Sequence, residues 1–132
     1  MAINGRTLVE QLRPQVSEMS VKQLHEKIQQ NPKLILIDIR EVSETALGSI
    51  DNAALIPRGI LEMSIDNQDS IKQRFATIEA LAKQPIYLLC RSGVRSVFAA
   101  LSLKQMGFEE VYSIEGGFLA WQAAGYKVCT FS

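Results

Sequence analysis

Ile86-Tyr87-Leu88-Leu89-Cys90-Arg91-Ser92-Gly93-Val94-Arg95-Ser96 is the stretch on which the fold turns. Its first four residues are apolar without alternation, which suits a strand buried on both faces, as in a parallel sheet. Val94, Val97, Phe98 and Leu101 then recur at helical spacing up to Gly107. A buried strand therefore enters a helix within a few residues. The polar junction between them carries a cysteine, two arginines and a glycine.

The same alternation extends in both directions. Upstream, residues 34–39 (LILIDI) form a second nearly continuous apolar run, and residues 53–56 form a weaker strand ended by Pro57. Between Asp69 and Ala82, Ile71, Phe75, Ile78 and Leu81 predict one helix, broken by Pro85. Ser20 and Gln23 have capping-box spacing and open a helix with Val21, Leu24 and Ile28 on one face, stopped at Asn31-Pro32. Residues 7–13 predict a short leading helix ended by Pro14. Downstream, residues 111–114 read as a strand and residues 118–124 as a short final helix ended by Gly125. Strands separated by helices imply right-handed βαβ units: an α/β fold with helices on both faces of a mostly parallel sheet. There is no repeat, low-complexity tract or linker. The 132 residues suit one domain, read as an N-terminal extension over 1–15 and a body over 16–132.

Bulk composition excludes several classes. Hydrophobic residues make up 47% and charged residues 21%, as in ordinary globular proteins. Fourteen Lys and Arg balance fourteen Asp and Glu, which argues against a nucleic-acid or membrane-surface binder. No apolar run approaches the ~18 residues of a membrane span. The first residues, MAINGRTLVEQLRP, do not read as a signal peptide, so a cytoplasmic location is expected. The two cysteines, Cys90 and Cys129, form no CxxC, and His25 is the one histidine. Neither a disulfide scaffold nor a metal site is expected, and no cofactor is called for.

The junction after Leu89 is where ligands bind in open α/β sheets, beyond the carboxyl ends of the strands. Unpaired N–H groups at a helix start, preceded by a turn, form an anion nest. Gly93 gives that turn backbone freedom. Arg91 and Arg95 add permanent positive charge. No acid occurs between Glu79 and Glu109, whereas Lys83, Arg91, Arg95 and Lys104 do, so the chain reads as cationic around the cysteine. A strand-end cysteine is often a plain core residue. In this setting a reactive thiolate is the better reading. His25 reads as solvated, and Phe118 and Trp121 read as core, with a substrate wall as a further role for Phe118.

Four segments, in order, resemble the single-domain rhodaneses, a family of sulfurtransferases. CRSGVRS at 90–96 is similar to that family's active-site loop, and LILIDIRE at 34–41 to its first strand with Asp-x-Arg. GSIDNAALIPRG at 48–59 resembles the Gly-His-Ile-x-Gly-Ala-x-x-Ile-Pro segment, with Ser49 in place of the usual His and Asn52 in place of the following Gly. EGGFLAWQAAGYKV at 115–128 resembles the closing Gly-Gly…Trp…Gly-Tyr-x-Val signature. Residues 60–75 match no pattern of the family.

The resemblance implies a three-layer sandwich around a sheet of about five strands. It implies a thiosulfate sulfurtransferase-type enzyme. Cys90 would take sulfane sulfur from a donor such as thiosulfate as a persulfide, and a thiol or cyanide would remove it. Arg91, Ser92, Gly93, Val94 and Arg95 would form the anion-binding loop, braced by Asp38, Arg40 and Ser96. The partners implied are small sulfur donors and acceptors, or a protein in either role. A non-enzymatic sulfur-carrier or interaction module is the alternative. Cysteine phosphatase or arsenate reductase activity ranks below both, because Arg95 follows Cys90 by five positions whereas the Cys-x5-Arg loop of cysteine phosphatases needs six. Cys129 reads as incidental, with resolution of the persulfide as the competing role.

Overall fold

The computed structural model describes residues 1–130. In chain order the elements are α1 (Gly5–Leu12), β1 (Ser17–Met19), α2 (Val21–Gln30), β2 (Ile35–Asp38), α3 (Val42–Thr45), β3 (Ala54–Leu55) and α4 (Leu61–Ser64). They continue with α5 (Asp69–Lys72), α6 (Ile78–Ala82), β4 (Ile86–Leu89), α7 (Arg95–Gln105), β5 (Val111–Ile114) and α8 (Gly117–Ala123). The five strands form one sheet in the order β1-β5-β4-β2-β3, and every pairing is parallel. No helix among the described residues is long and apolar enough to cross a membrane.

Alternate residues of the central strands face opposite layers, as the two-residue strand period requires. Ile35, Ile37, Ile86 and Leu88 pack with Leu61, Ile71, Leu81, Ala100 and Leu103 of α4 to α7. Leu36, Tyr87, Leu89 and Ile114 pack with Leu24 of α2 and with Phe118 and Trp121 of α8. Both faces of β2 and β4 are buried throughout, which is why these strands read as unbroken apolar runs. Asp38 pairs in register with Leu89, and the Ile39 N–H donates to the Leu89 carbonyl at 2.8 Å. The ends of β2 and β4 therefore lie side by side, and Cys90 leaves the sheet next to Asp38 and Arg40.

The capping box opens α2 as expected: Ser20 Oγ accepts the Gln23 N–H, and the Gln23 side chain accepts the Ser20 N–H. Three expectations need correction. The single helix over 69–82 is two, α5 and α6. Thr77 is extended, and its hydroxyl accepts the Ala80 N–H at 3.2 Å, so a capped restart replaces a continuous helix. Ile71 and Leu81 still reach the same core, and apolar spacing cannot separate that arrangement from one helix. Strand β1 escapes a reading by pattern because Ser17-Glu18-Met19 lies at a sheet edge with only Met19 buried.

Helix α7 buries Ser96, Val97, Ala99, Ala100 and Leu103, so of the expected stripe only Val97 is fully buried. Small side chains against the sheet let the helix approach it, leaving Phe98 and Leu101 half-buried and Val94 exposed. Finally, His25 is not simply solvated. Its ring stacks on Tyr126, centroids 4.1 Å apart, and meets Trp121 edge-on, because the chain turns back over α2 after α8.

Candidate active site around Cys90

Cys90 is the first residue after β4, and its side chain points into the layer that holds α7, 1% exposed. The chain then turns through Gly93, whose φ is +85°. A Cβ there would lie 3.1 Å from the Ile114 carbonyl oxygen and 3.0 Å from the Gly116 nitrogen, so only glycine fits without strain. The turn brings the start of α7 over the cysteine. The Gly93 N–H donates to Sγ at 3.2 Å and the Ser96 N–H at 3.4 Å. Val94 precedes α7 without a capping side chain, and the sulfur takes the cap's place by accepting one of the helix's free N–H groups. The hydroxyl of Ser96 lies 3.3 Å from Sγ, and its oxygen lies 2.7 Å from the hydroxyl of Ser113 on β5.

The back of the loop is held by α8. The Phe118 N–H donates to the Cys90 carbonyl at 2.8 Å, and the Leu119 N–H to the Arg91 carbonyl at 3.0 Å. This approach needs Gly117, because a Cβ there would collide with the Cys90 carbonyl and the Arg91 backbone. The Gly116-Gly117 pair thus sets the loop's depth.

The two loop arginines differ. Arg91 is exposed and forms no ion pair among the described residues. Arg95 is turned to Glu44 on α3, with Nη1 to Oε1 at 2.8 Å and Nη2 to Oε2 at 2.9 Å. That hydrogen-bonded pairing holds the Glu44 carboxyl at about 2 and raises the Arg95 guanidinium further. The cationic character read from the acid-free window is therefore overcounted. Glu44 arrives from 51 positions away and neutralises Arg95. Lys83 precedes β4, at the end of the strand remote from Cys90, and Lys104 near the end of α7 donates to the Gln15 carbonyl.

Asp38 and Arg40 pair with each other, not with the loop. Arg40 Nε and Nη2 reach the Asp38 carboxylate at 3.0 and 2.9 Å, and Nη2 also donates to the Gly48 carbonyl at 2.7 Å. The fully buried Ser49 donates its hydroxyl to Asp38 at 2.6 Å. The Arg40 guanidinium lies over the Phe118 ring, 3.9 Å from its centroid. Arg40 thus reaches the cysteine loop through Phe118. Beside the loop, a cavity of about 220 Å³ is lined by Arg40, Glu44, Leu47, Arg91, Phe118 and Leu119, among others. A larger one, about 410 Å³, lies around the start of β2, at the other end of the sheet. Ser92 and Val94 are exposed, and among the described residues the Ser92 hydroxyl does not hydrogen-bond the sulfur. Cys129 sits in an antiparallel bridge with Ser49 through mutual backbone hydrogen bonds of 2.9 and 2.8 Å.

Glu44, Ser49 and Ser113 were not singled out as site residues by the sequence. Glu44 had a usable signal, an acid one turn beyond Asp-x-Arg. Ser113, a serine inside an apolar strand, had a weaker one.

A rhodanese-like domain family model matches residues 20–124. A putative sulfurtransferase of Bacillus subtilis, YtwF, is 33% identical over 108 residues, covering 82% of this chain and 92% of the relative. Among solved structures, the polysulfide-sulfur transferase of Wolinella succinogenes, a homodimer, superposes with a TM-score of 0.73 at 25% identity, over 96% of this chain and 88% of that one. A Rhodopseudomonas palustris protein of unknown function, described as a possible tyrosine phosphatase, superposes with a TM-score of 0.81 at 24% identity, over 98% and 96% of the two chains. That last likeness is one of fold.

Proposed function

The chain belongs to the rhodanese-like domain family of sulfurtransferases, and from that premise we propose that it transfers sulfane sulfur through a persulfide on Cys90. The observation that carries the reading is the convergence of the Gly93 and Ser96 N–H groups on one sulfur atom, with the Ser96 hydroxyl oxygen 3.3 Å from it. N–H groups aimed at the sulfur favour negative charge there, so attack by a thiolate needs no separate general base.

With thiosulfate as donor, the Cys90 thiolate attacks the outer sulfur. The bond from that sulfur to the sulfonate sulfur breaks, and sulfite leaves with the electron pair. The new Cys90 persulfide keeps its negative charge on the terminal sulfur, over the N-terminal end of α7. Cyanide or a thiolate then attacks the terminal sulfur, the sulfur–sulfur bond to Cys90 breaks, and thiolate Cys90 returns. Arg91, exposed and unpaired among the described residues, attracts the dianionic donor, and Arg40 lies in the adjoining cavity.

Phosphoryl transfer is disfavoured on two counts. The loop from Cys90 to Arg95 is one residue short of the phosphatase loop, and the Arg95 guanidinium that would clamp a phosphoryl group is held by both oxygens of Glu44. A second reading, in which a protein supplies or receives the sulfur, is favoured by the apolar rim of the cavity. Leu47 is 83% exposed and Leu119 43%, both beside Arg91.

Intact-mass spectrometry after thiosulfate treatment tests the proposal. The expected result is a gain of one sulfur atom on the native protein, lost on adding cyanide and absent from Cys90→Ala. No gain with thiosulfate or polysulfide, together with hydrolysis of an aryl phosphate, overturns it.

A further inference from the structure

The loop and Arg95 account for the surroundings of Cys90 except on the side facing β5. There Ser113, fully buried, lies with its Oγ 2.7 Å from Ser96 Oγ, and Ser96 Oγ lies 3.3 Å from Cys90 Sγ. We propose that Ser113 is a positioning residue for the sulfur chemistry: its hydroxyl donates to Ser96 and so directs the Ser96 hydroxyl proton onto the Cys90 sulfur. This rests on the reading of Cys90 as the thiolate nucleophile.

The direction follows from counting protons. Each serine hydroxyl has one proton to donate and can accept twice. Ser113 Oγ has no hydrogen-bond partner among the described residues other than Ser96 Oγ. If Ser96 donated to Ser113, the Ser113 proton would be buried without an acceptor, an arrangement that folded proteins avoid. If Ser113 donates to Ser96, both protons are used, and the second ends on the sulfur. The chain of two hydroxyls therefore has a dead end at β5 and points one way. A hydroxyl that accepts one hydrogen bond donates a stronger one, so Ser113 also strengthens the Ser96 contact.

The placement is specific. Val111 and Ser113 face the α7 layer, whereas Ile114 faces the other. A valine at 113 would fit the strand pattern better than serine does. The charged groups around the sulfur are Arg91, Arg95 with Glu44, Asp38 with Arg40, and Arg13 with Glu18, which lies opposite Ser113 on β1. None of them hydrogen-bonds either hydroxyl.

The test compares Ser113→Thr with Ser113→Val, which have the same shape and differ by the hydroxyl. The reading is the rate of Cys90 alkylation by iodoacetamide against pH, in a Cys129→Ser background, where one thiol reacts. This reports the thiolate directly and is independent of any sulfur transfer. Ser113→Thr is expected to follow the native profile. In Ser113→Val the pH of half-maximal rate moves up by about half a unit, a roughly three-fold smaller reactive fraction on the acid side. Ser113→Ala gives the same comparison without added volume if the larger side chains prevent folding. Adding Ser113→Ala to Ser96→Ala is expected to move the profile no further than Ser96→Ala alone. A Ser113→Val or Ser113→Ala profile that overlays the native one overturns the proposal, as does an additive double variant. If instead alkylation behaves as expected and no persulfide forms, the positioning role stands and the sulfurtransferase reading fails.

Discussion

Arg40 is 5% exposed, and its guanidinium meets the Asp38 carboxylate, the Gly48 carbonyl and the face of Phe118. A buried ion pair adds little over an apolar pair, but removing one member strands the other. Arg40→Leu would leave the fully buried Asp38 with the Ser49 hydroxyl and the Arg40 backbone N–H as its hydrogen-bond donors. The expected loss is about 3–5 kcal/mol of folding stability, read as a lower urea midpoint. A loss below about 1 kcal/mol would mean the pair is solvated, contrary to its burial. The Asp-x-Arg motif was legible as a pair, but its partners were not. Gly48 and Ser49 come from a chain reversal eight to eleven positions later, which no local pattern encodes. Ser49 had looked like a departure from the family's histidine. In the structure its hydroxyl satisfies the buried carboxylate, so the position remains a polar partner of Asp38 in this chain.

Among the elements, the contact between α3 and α7 depends on Glu44 and Arg95. The Arg95 hydrogen bonds hold the Glu44 carboxyl at about 2, below its ordinary 4.5, against a partial opposing effect of burial. A carboxylate lowered on folding stabilises the protein above its unfolded value and loses that contribution as pH falls toward the folded one. The pair therefore contributes fully above about pH 4.5 and fades between there and about pH 2. The side chains are 34% and 26% exposed, so solvent screening limits the contribution to about 1 kcal/mol. Glu44→Gln is expected to be less stable than native by that amount at pH 7, with a shallower fall in stability on acidification across that interval. Thermal unfolding at stepped pH checks this, and parallel curves for the two proteins would show that the ion pair contributes nothing. The sequence concealed this contact for the same reason it concealed the break between α5 and α6. Elements that bury little are fixed by partners remote in the chain. By contrast, β2, β4 and α2 were legible because burial on both faces, or a capping box, is written into consecutive residues.

For the molecule as a whole, the open matter is how far the extension belongs to the working domain. The family match begins at residue 20, beyond both α1 and β1. Yet β1 completes the sheet beside β5, and α1 packs on α7 with Val9 2% exposed. Arg13 bonds Glu10 at 2.9 Å and Glu18 at 2.6 Å, and approaches the Gly93 carbonyl at the limit of a hydrogen bond, 3.5 Å. Among the described residues, however, every hydrogen bond of the Cys90 sulfur is made with residues 93 and 96. The two facts separate stability from chemistry. Deleting residues 1–12 keeps Arg13 and β1 but uncovers the α7 surface that Val9 seals, a loss of about 1.5–3 kcal/mol for that side chain alone. The shortened protein is expected to unfold at lower urea while still gaining one sulfur atom from thiosulfate at the native rate under folding conditions. An unchanged midpoint would show that α1 is an appendage. A native midpoint with lost sulfur loading would instead place α1 in the site, acting through Arg13 and Gly93, and that route is the weaker one because its single contact with the loop is the longest hydrogen bond around it.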